Sequence, residues 1–290
     1  MSNYVILTES NCDLTQEMAD QLGLIVLPMT VETPKGTFKN YLDGRDMDPK
    51  TFYANLRAGD MCKTSAINTT IFMEAMEEIA KAGNDVLYLG FSSGLSGTYS
   101  AGLMAARELS EKYPERKFYA VDTLCASMGQ GLIVYLAVQK KNEGASIEEV
   151  RDYVEATKMS VAHWVTVDDL QHLKRGGRIS ATTAVVGTML KIKPIIHVDN
   201  EGKLENVEKA RGRKGALNMI VEKFGATAIN PAEQTLFISH GDCEADAQYV
   251  VDKMKEKYGL KDACMNIIGP VIGAHTGPGV IAVFWLATER

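Results

Sequence analysis

Residues 90–99 read Gly90-Phe91-Ser92-Ser93-Gly94-Leu95-Ser96-Gly97-Thr98-Tyr99. The apolar run Val86-Leu87-Tyr88-Leu89 precedes them, and an amphipathic helical pattern starts near Ser100. This order predicts a strand, a hydroxyl-rich turn and a helix N-terminus. Such a turn gathers free backbone N–H groups and small O–H donors at one point. The helix N-terminus beside it favours negative charge. The chemistry implied is the holding of an oxyanion: a carboxylate, a phosphate or an acyl oxyanion.

A reacting serine is the alternative. Gly90-Phe91-Ser92-Ser93-Gly94 matches G-x-S-x-G in a strand-turn-helix context, which would make Ser92 a hydrolase nucleophile. His240 or His275 would be the base, with an acid such as Asp168 or Asp199. Helix capping accounts for one or two serines, but not for Ser92, Ser93, Ser96 and Thr98 together. The density of hydroxyls and glycines favours holding over reacting.

Three further clusters fit an anion site. Lys63-Thr64-Ser65 lies just before Asn68, a candidate helix cap. Leu173-Lys174-Arg175-Gly176-Gly177-Arg178-Ile179-Ser180 sets two glycines among arginines, which suits close, bidentate contact with an oxyanion. Gly269 to Gly279 holds His275 among glycines and two prolines, which predicts a rigid loop that a ligand could approach closely.

The elements that must position these residues follow from periodicity. Tyr4–Leu7 and Leu24–Val31 read as strands, with Asp13 capping a helix through Leu22. Asn68 can cap a helix over Ile71–Ala82. Strands 85–91 and 117–121 then alternate with helices 100–112 and 127–142. This rhythm predicts a mostly parallel sheet flanked by helices. Ser146-Ile147-Glu148-Glu149 is a capping box for a helix to about Met159. From the strand Ala162–Val167 onward, strand and hairpin signals are denser. Asp199–Gly202 is a turn between Pro194–Val198 and Lys203–Glu208. Helices near 213–224 and 244–257 and strands 235–239, 263–268 and 280–287 follow. The division expected is two α/β domains, residues 1–160 and 161–290.

The chain has 290 residues, 46% hydrophobic and 23% charged, enough for two cores. A net charge of -6 argues against a nucleic-acid surface. Ten Lys or Arg and only four acids fall between His172 and Lys214, so a basic stretch sits in an acidic chain. The five cysteines form no C-x-x-C pair, and Met1–Leu7 lacks a signal-peptide pattern, so a reduced, cytoplasmic setting is expected. No apolar run is long enough to span a bilayer. There is no phosphate-binding G-x-x-x-x-G-K-[ST] loop, no G-x-G-x-x-G fingerprint and no Cys/His spacing for a metal.

The clusters resemble, in order and over nearly the whole chain, the DegV family of bacterial fatty-acid-binding proteins. The resemblance rests on Thr8-x-Ser10-x-x-Asp13-Leu14, Lys63-Thr64-Ser65, Ser92 to Tyr99, Val121-Asp122-Thr123, Leu170 to Ser180, Lys193-Pro194-Ile195 and Gly269 to Gly279. It implies a two-domain α/β protein that buries one long acyl tail, such as palmitate or oleate, between its domains. It implies that Thr64 and Ser96 hold the carboxyl end, with Arg178 and His275 nearby. The full ligand-binding set expected is Thr64, Ser65, Ser93, Ser96, Gly97, Arg178 and His275, with no catalytic residue, metal or cofactor. It further implies that a separate fatty-acid kinase carrying the ATP site phosphorylates the bound acid for phospholipid synthesis. No nucleic acid, no stable membrane insertion and a monomer are expected. Two departures, Ala66-Ile67 where the family often has Gln-Pro and Thr123 where many members have Ser, touch no proposed head-group contact.

Overall fold

The computed structural model of the chain describes residues 3–180 and 192–290. Lys191, part of the basic stretch, lies outside them. The first strand, β1 (Tyr4–Glu9), runs into a 3₁₀ turn (Ser10–Cys12), and α1 (Gln16–Gln21) follows. Asp13 does not cap α1. Thr15 does, its Oγ1 accepting from the Met18 N–H at 3.1 Å. Asp13 is instead buried and left-handed, with φ 50°.

The strand expected over Leu24–Val31 is two strands. β2 (Ile25–Leu27) and β3 (Met29–Thr33) separate at Pro28, which has no N–H to give a ladder. β3 joins a small antiparallel sheet with β4 (Gly36–Asn40), which leads to α2 (Pro49–Arg57), and with β5 (Lys63–Ser65). The hydroxyl cluster at Thr64 therefore lies on a strand. Asn68 caps α3 (Thr69–Lys81) as expected, its Oδ1 accepting from the Ile71 N–H at 3.1 Å.

β6 (Asp85–Gly90), α4 (Thr98–Lys112) and β7 (Phe118–Asp122) complete a parallel sheet of order β2-β1-β6-β7. Its strands are apolar on both faces because both are covered. Leu7, Val86 and Tyr88 pack on α3 and α4. Ile6, Leu87 and Leu89 point the other way, toward α5 (Met128–Asn142) and α6 (Ile147–Thr157). That alternation is the period of two of a strand. The Ser146–Glu149 capping box is present on α6.

β8 (Val161–Thr166) and α7 (Gln171–Arg175) follow α6. Then come β9 (Ile192–Val198), β10 (Leu204–Arg211), α8 (Gly212–Thr227), β11 (Thr235–His240), α9 (Glu244–Tyr258) and β12 (Asp262–Ile267). The segment expected to be a rigid loop around His275 is the helix α10 (Pro270–Thr276), followed by β13 (Ile281–Leu286). Pro270 begins α10 and Gly277, φ 73°, ends it, the usual asymmetry of helix termini. The six strands form a mixed sheet of order β10-β9-β8-β13-β11-β12. Ile195, Ile238, Val283 and Trp285 pack one face on α8 and α9, while Val165, Ile196, Phe237 and Phe284 turn toward α5.

Helix α5 is thus enclosed between the two larger sheets, and its stretch from Leu132 to Val138, apolar all round, suits that place. Among the described residues no helix is long and apolar enough to cross a membrane. The tightest point of α5 is Gly129. A Cβ there would lie 2.3 Å from His163 Nε2 and 2.7 Å from Phe284 Cδ1, both on buried rings. Alanine gains up to about 1 kcal/mol in helix propensity, but overpacking costs about 1–3 kcal/mol. The clash prevails because ring displacement also breaks the bond from the Ala126 N–H to His163 Nε2. Gly129→Ala should therefore unfold at lower urea, with a net loss of about 1–2 kcal/mol; an unchanged midpoint would contradict this packing.

Candidate functional site

A cavity of about 310 Å³ lies beyond the carboxyl ends of β1 and β6, against the face of the mixed sheet that carries Val165 and Phe284. That volume is at the lower end of ligand pockets, roughly 300–1,000 Å³. Its walls are mostly apolar. Phe91 and Leu95 come from the turn after β6, Val198 and Leu204 from the β9–β10 hairpin, and Ile268, Val271 and Ile272 from the β12–α10 corner. The polar groups at one side of it are Thr64, Ser96, Gly97, Arg178 and His275. Residues widely separated in the chain therefore meet at one mouth.

Each mouth residue has a local reason for its aim. Thr64 alternates with Lys63 and Ser65 along β5, so it alone of the three faces inward. Its Oγ1 lies 2.8 Å from His275 Nε2 on α10. Ser96 Oγ lies 2.9 Å from Thr98 Oγ1 and accepts from the Thr98 N–H at 3.2 Å, at the start of α4. Gly97 brings that helix end, with its partial positive charge, to the wall. Arg178 follows the Gly176-Gly177 turn. Its Nε donates to the Leu95 carbonyl at 3.1 Å and its Nη1 to the Gly176 carbonyl. Gly176 is required: a Cβ would lie 2.2 Å from His275 Nδ1.

Three of the expected residues are placed elsewhere. Ser65 sits on the opposite face of β5, and its Oγ donates to Glu32 Oε1 at 3.1 Å. Ser93 is exposed and outside the cavity wall; its N–H donates to Asp122 Oδ1 at 3.2 Å. Ser92 is sealed, with 0% exposure. Its Oγ donates to the Gly202 carbonyl at 2.7 Å and accepts from the Gly94 N–H at 3.2 Å. Nor does a triad assemble around it. His240 Nδ1 accepts from the Cys243 N–H, Asp168 is ion-paired to Lys193, and Asp199 organises the β9–β10 turn. The nucleophile reading of Ser92 is therefore set aside.

Asn11, Ser127 and His163 also line the cavity and escaped the sequence reading. For His163 a signal existed: on β8 it shares a face with Val161 and Val165. Its Nδ1 donates to the Val161 carbonyl at 2.9 Å and its Nε2 accepts from the Ala126 N–H at 3.2 Å. That pairing is a neutral ring, in keeping with burial holding its pKa well below the ordinary value.

The electrostatics of the mouth suit an anion. Burial lowers the Arg178 pKa, yet guanidinium keeps its proton. No carboxylate among the described residues lies within ion-pair distance of it. Burial first, and the Arg178 charge second, push His275 down to about 4. Among the described residues the mouth therefore offers one fixed cation, a neutral imidazole and two hydroxyls. Beyond it a second hollow of about 410 Å³ shares Thr64, Arg178 and His275 and adds Lys63, His172 and Arg175. Among the described residues no group of three or more His, Cys, Asp or Glu is placed to hold a metal ion.

The lowered His275 pKa has a stability consequence. Between 6.5 and about 4 the unfolded chain binds the proton that folded His275 refuses, so this residue's contribution is lost as pH falls through that window. Glu9 and Asp13, raised by burial to about 7, act with the opposite sign but are common to parent and variant. The urea stability of the parent relative to His275→Gln should therefore decline from pH 6.5 toward pH 4. A constant difference across that range would show a solvated imidazole.

Residues 3–288 match the family model described as "Uncharacterised protein, DegV family". A DegV domain-containing protein of Clostridium perfringens is 46% identical over 290 residues, covering 100% of this chain and 99% of that protein. Among solved structures, a fatty-acid-binding DegV family protein from Thermus thermophilus is 30% identical with a TM-score of 0.86, covering 100% of both chains. DegV of Bacillus subtilis, described as a fatty acid binding protein, is 28% identical with a TM-score of 0.87, covering 99% of this chain and 100% of that one. The chain belongs to the DegV family.

Proposed function

We propose that this protein binds one long-chain fatty acid, such as palmitate or oleate, and presents its carboxyl group to a separate kinase. The observation that carries the reading is a mostly apolar cavity with a guanidinium at its mouth that has no carboxylate partner among the described residues. The tail lies among Phe91, Leu95, Val198, Leu204 and Ile268, and the carboxylate meets Thr64, Ser96, Arg178 and His275. Burying about fifteen methylenes contributes on the order of 12 kcal/mol gross. Tail ordering and lost tumbling offset several kcal/mol of that. The apolar tail thus supplies most of the affinity, and the polar groups orient the head group and add a smaller share.

The kinase step is supported by what lies on either side of the mouth. The chain has no phosphate-binding loop of its own, so ATP would belong to the partner. The outer hollow carries Lys63 and Arg175 beside Arg178. A phosphorylated head group, with more negative charge than a carboxylate, would meet these cations there. In this reading the protein is a non-catalytic, cytoplasmic acyl carrier feeding phospholipid synthesis, with its two α/β domains divided at residues 160 and 161. The fatty-acid binding described for the Thermus thermophilus and Bacillus subtilis relatives supports its ligand class.

Native mass spectrometry of protein purified from a bacterial host should show one fatty acid per chain. An unliganded mass that takes up neither added palmitate nor oleate would overturn the reading. Arg178→Ala should weaken fatty-acid binding about ten- to hundred-fold, the range of a lost charge-assisted bond. Ser96→Ala should lower transfer of phosphate to the bound acid by the partner kinase while leaving the circular dichroism unchanged. Full affinity in the first variant, or full turnover in the second, would remove that residue from the head-group site.

A further inference from the structure

Asn11 stands out among the polar side chains of the cavity wall. It is 3% exposed, and its Oδ1 has no hydrogen-bond partner among the described residues. The other polar side chains there are engaged. Thr64 meets His275, and Ser96 meets Thr98. Ser127 Oγ donates to Asp13 Oδ2 at 2.5 Å and lies 2.8 Å from Ser239 Oγ. Both ring nitrogens of His163 are bonded, and Thr276 Oγ1 donates to the Ile272 carbonyl. Buried polar groups are as a rule paired; Asn11 lines the cavity, and rotation of its carboxamide would turn either end toward a partner held there.

Resting on the fatty-acid reading above, we propose that Asn11 selects acyl chains that carry a hydroxyl group along the tail. An unsubstituted tail against Asn11 leaves the amide unpaired. A keto oxygen only accepts, so it could meet the amide N–H groups but not the orphaned Oδ1. A hydroxyl both donates and accepts, and satisfies the carboxamide in either orientation of its amide. A wall group that bonds a substrate hydroxyl discriminates against the analogue lacking it, because the wall group is then left buried and unpaired. Asn11 comes from the turn after β1, whereas the mouth residues come from β5, the α4 N-terminus, the segment after α7, and α10. Selection along the tail is thus separable from capture of the head.

The test is competitive loading read by native mass spectrometry. Equimolar ricinoleate and oleate form one pair. Stearate is then set against monohydroxystearates substituted near the carboxyl, at mid-chain and near the methyl end. The expected result is about a ten-fold preference for at least one hydroxylated acid. In Asn11→Leu that preference should fall to near parity while oleate is still bound. The proposal is overturned if the parent takes oleate and stearate as well as every hydroxylated competitor. It is equally overturned if a folded Asn11→Leu keeps the preference. Failure to load any acid would overturn the fatty-acid reading itself, which is a distinguishable result. The competition in the parent protein decides the matter even if the variant does not fold.

Discussion

One buried carboxylate holds the cavity together. Asp13 accepts from Ser127 Oγ at 2.5 Å and from the Gly269 N–H at 3.0 Å, while its own carbonyl accepts from Asn266 Nδ2 at 2.8 Å. Those partners stand at the start of α5, before α10, and on β12. A residue just after β1 of the parallel sheet thereby holds both the start of α5 and the β12–α10 corner of the mixed sheet. The neighbours of these anchors in sequence, Asn11 and Ile268, are cavity wall, and Ser127 is both. Burial raises the carboxyl to about 7, and the bonds from Ser127 and Gly269 pull it back. The left-handed backbone at Asp13 belongs to the same arrangement, since it ends the 3₁₀ turn and lets the chain restart at the Thr15 cap.

Much of the fold was legible because its signals are local. Strands covered on both faces read as apolar runs, and the caps at Asn68 and Ser146 announce the helices behind them. Asp13 misled because its side chain has the chemistry of a cap, and only tertiary structure shows that distant segments claim it. Pro28 was the mark of two strands where one apolar stretch was read. Pro270 and Gly277 were likewise the marks of a helix where their rigidity suggested a loop.

The site was legible as a set of clusters but not residue by residue. Thr64, Ser96, Gly97, Arg178 and His275 do converge. Ser65 and Ser93 do not, because a run of hydroxyls does not say which member a strand or turn aims inward. Asn11 was invisible for a different reason. An asparagine in a polar stretch looks like any turn residue until its surroundings prove apolar. The mouth itself depends on a missing atom, since Gly176 lets the turn carrying Arg178 lie against His275. The neutral imidazole follows from burial together with that proximity to the Arg178 charge.

The clasp between the hydroxyl-rich turn and the β9–β10 hairpin has a consequence for how this sequence can drift. Ser92 and Gly202 are 110 residues apart, yet one hydrogen bond joins them. A Cβ on Gly94 would lie 2.6 Å from the Glu201 carbonyl oxygen, and one on Gly202 would lie 2.1 Å from Ser92 Oγ. Neither loop can therefore acquire a side chain at these points while the other keeps its present form. The two loops are bound to vary in concert, as a single unit of inheritance split across the chain, and the serine that most resembles a nucleophile is the rivet between them.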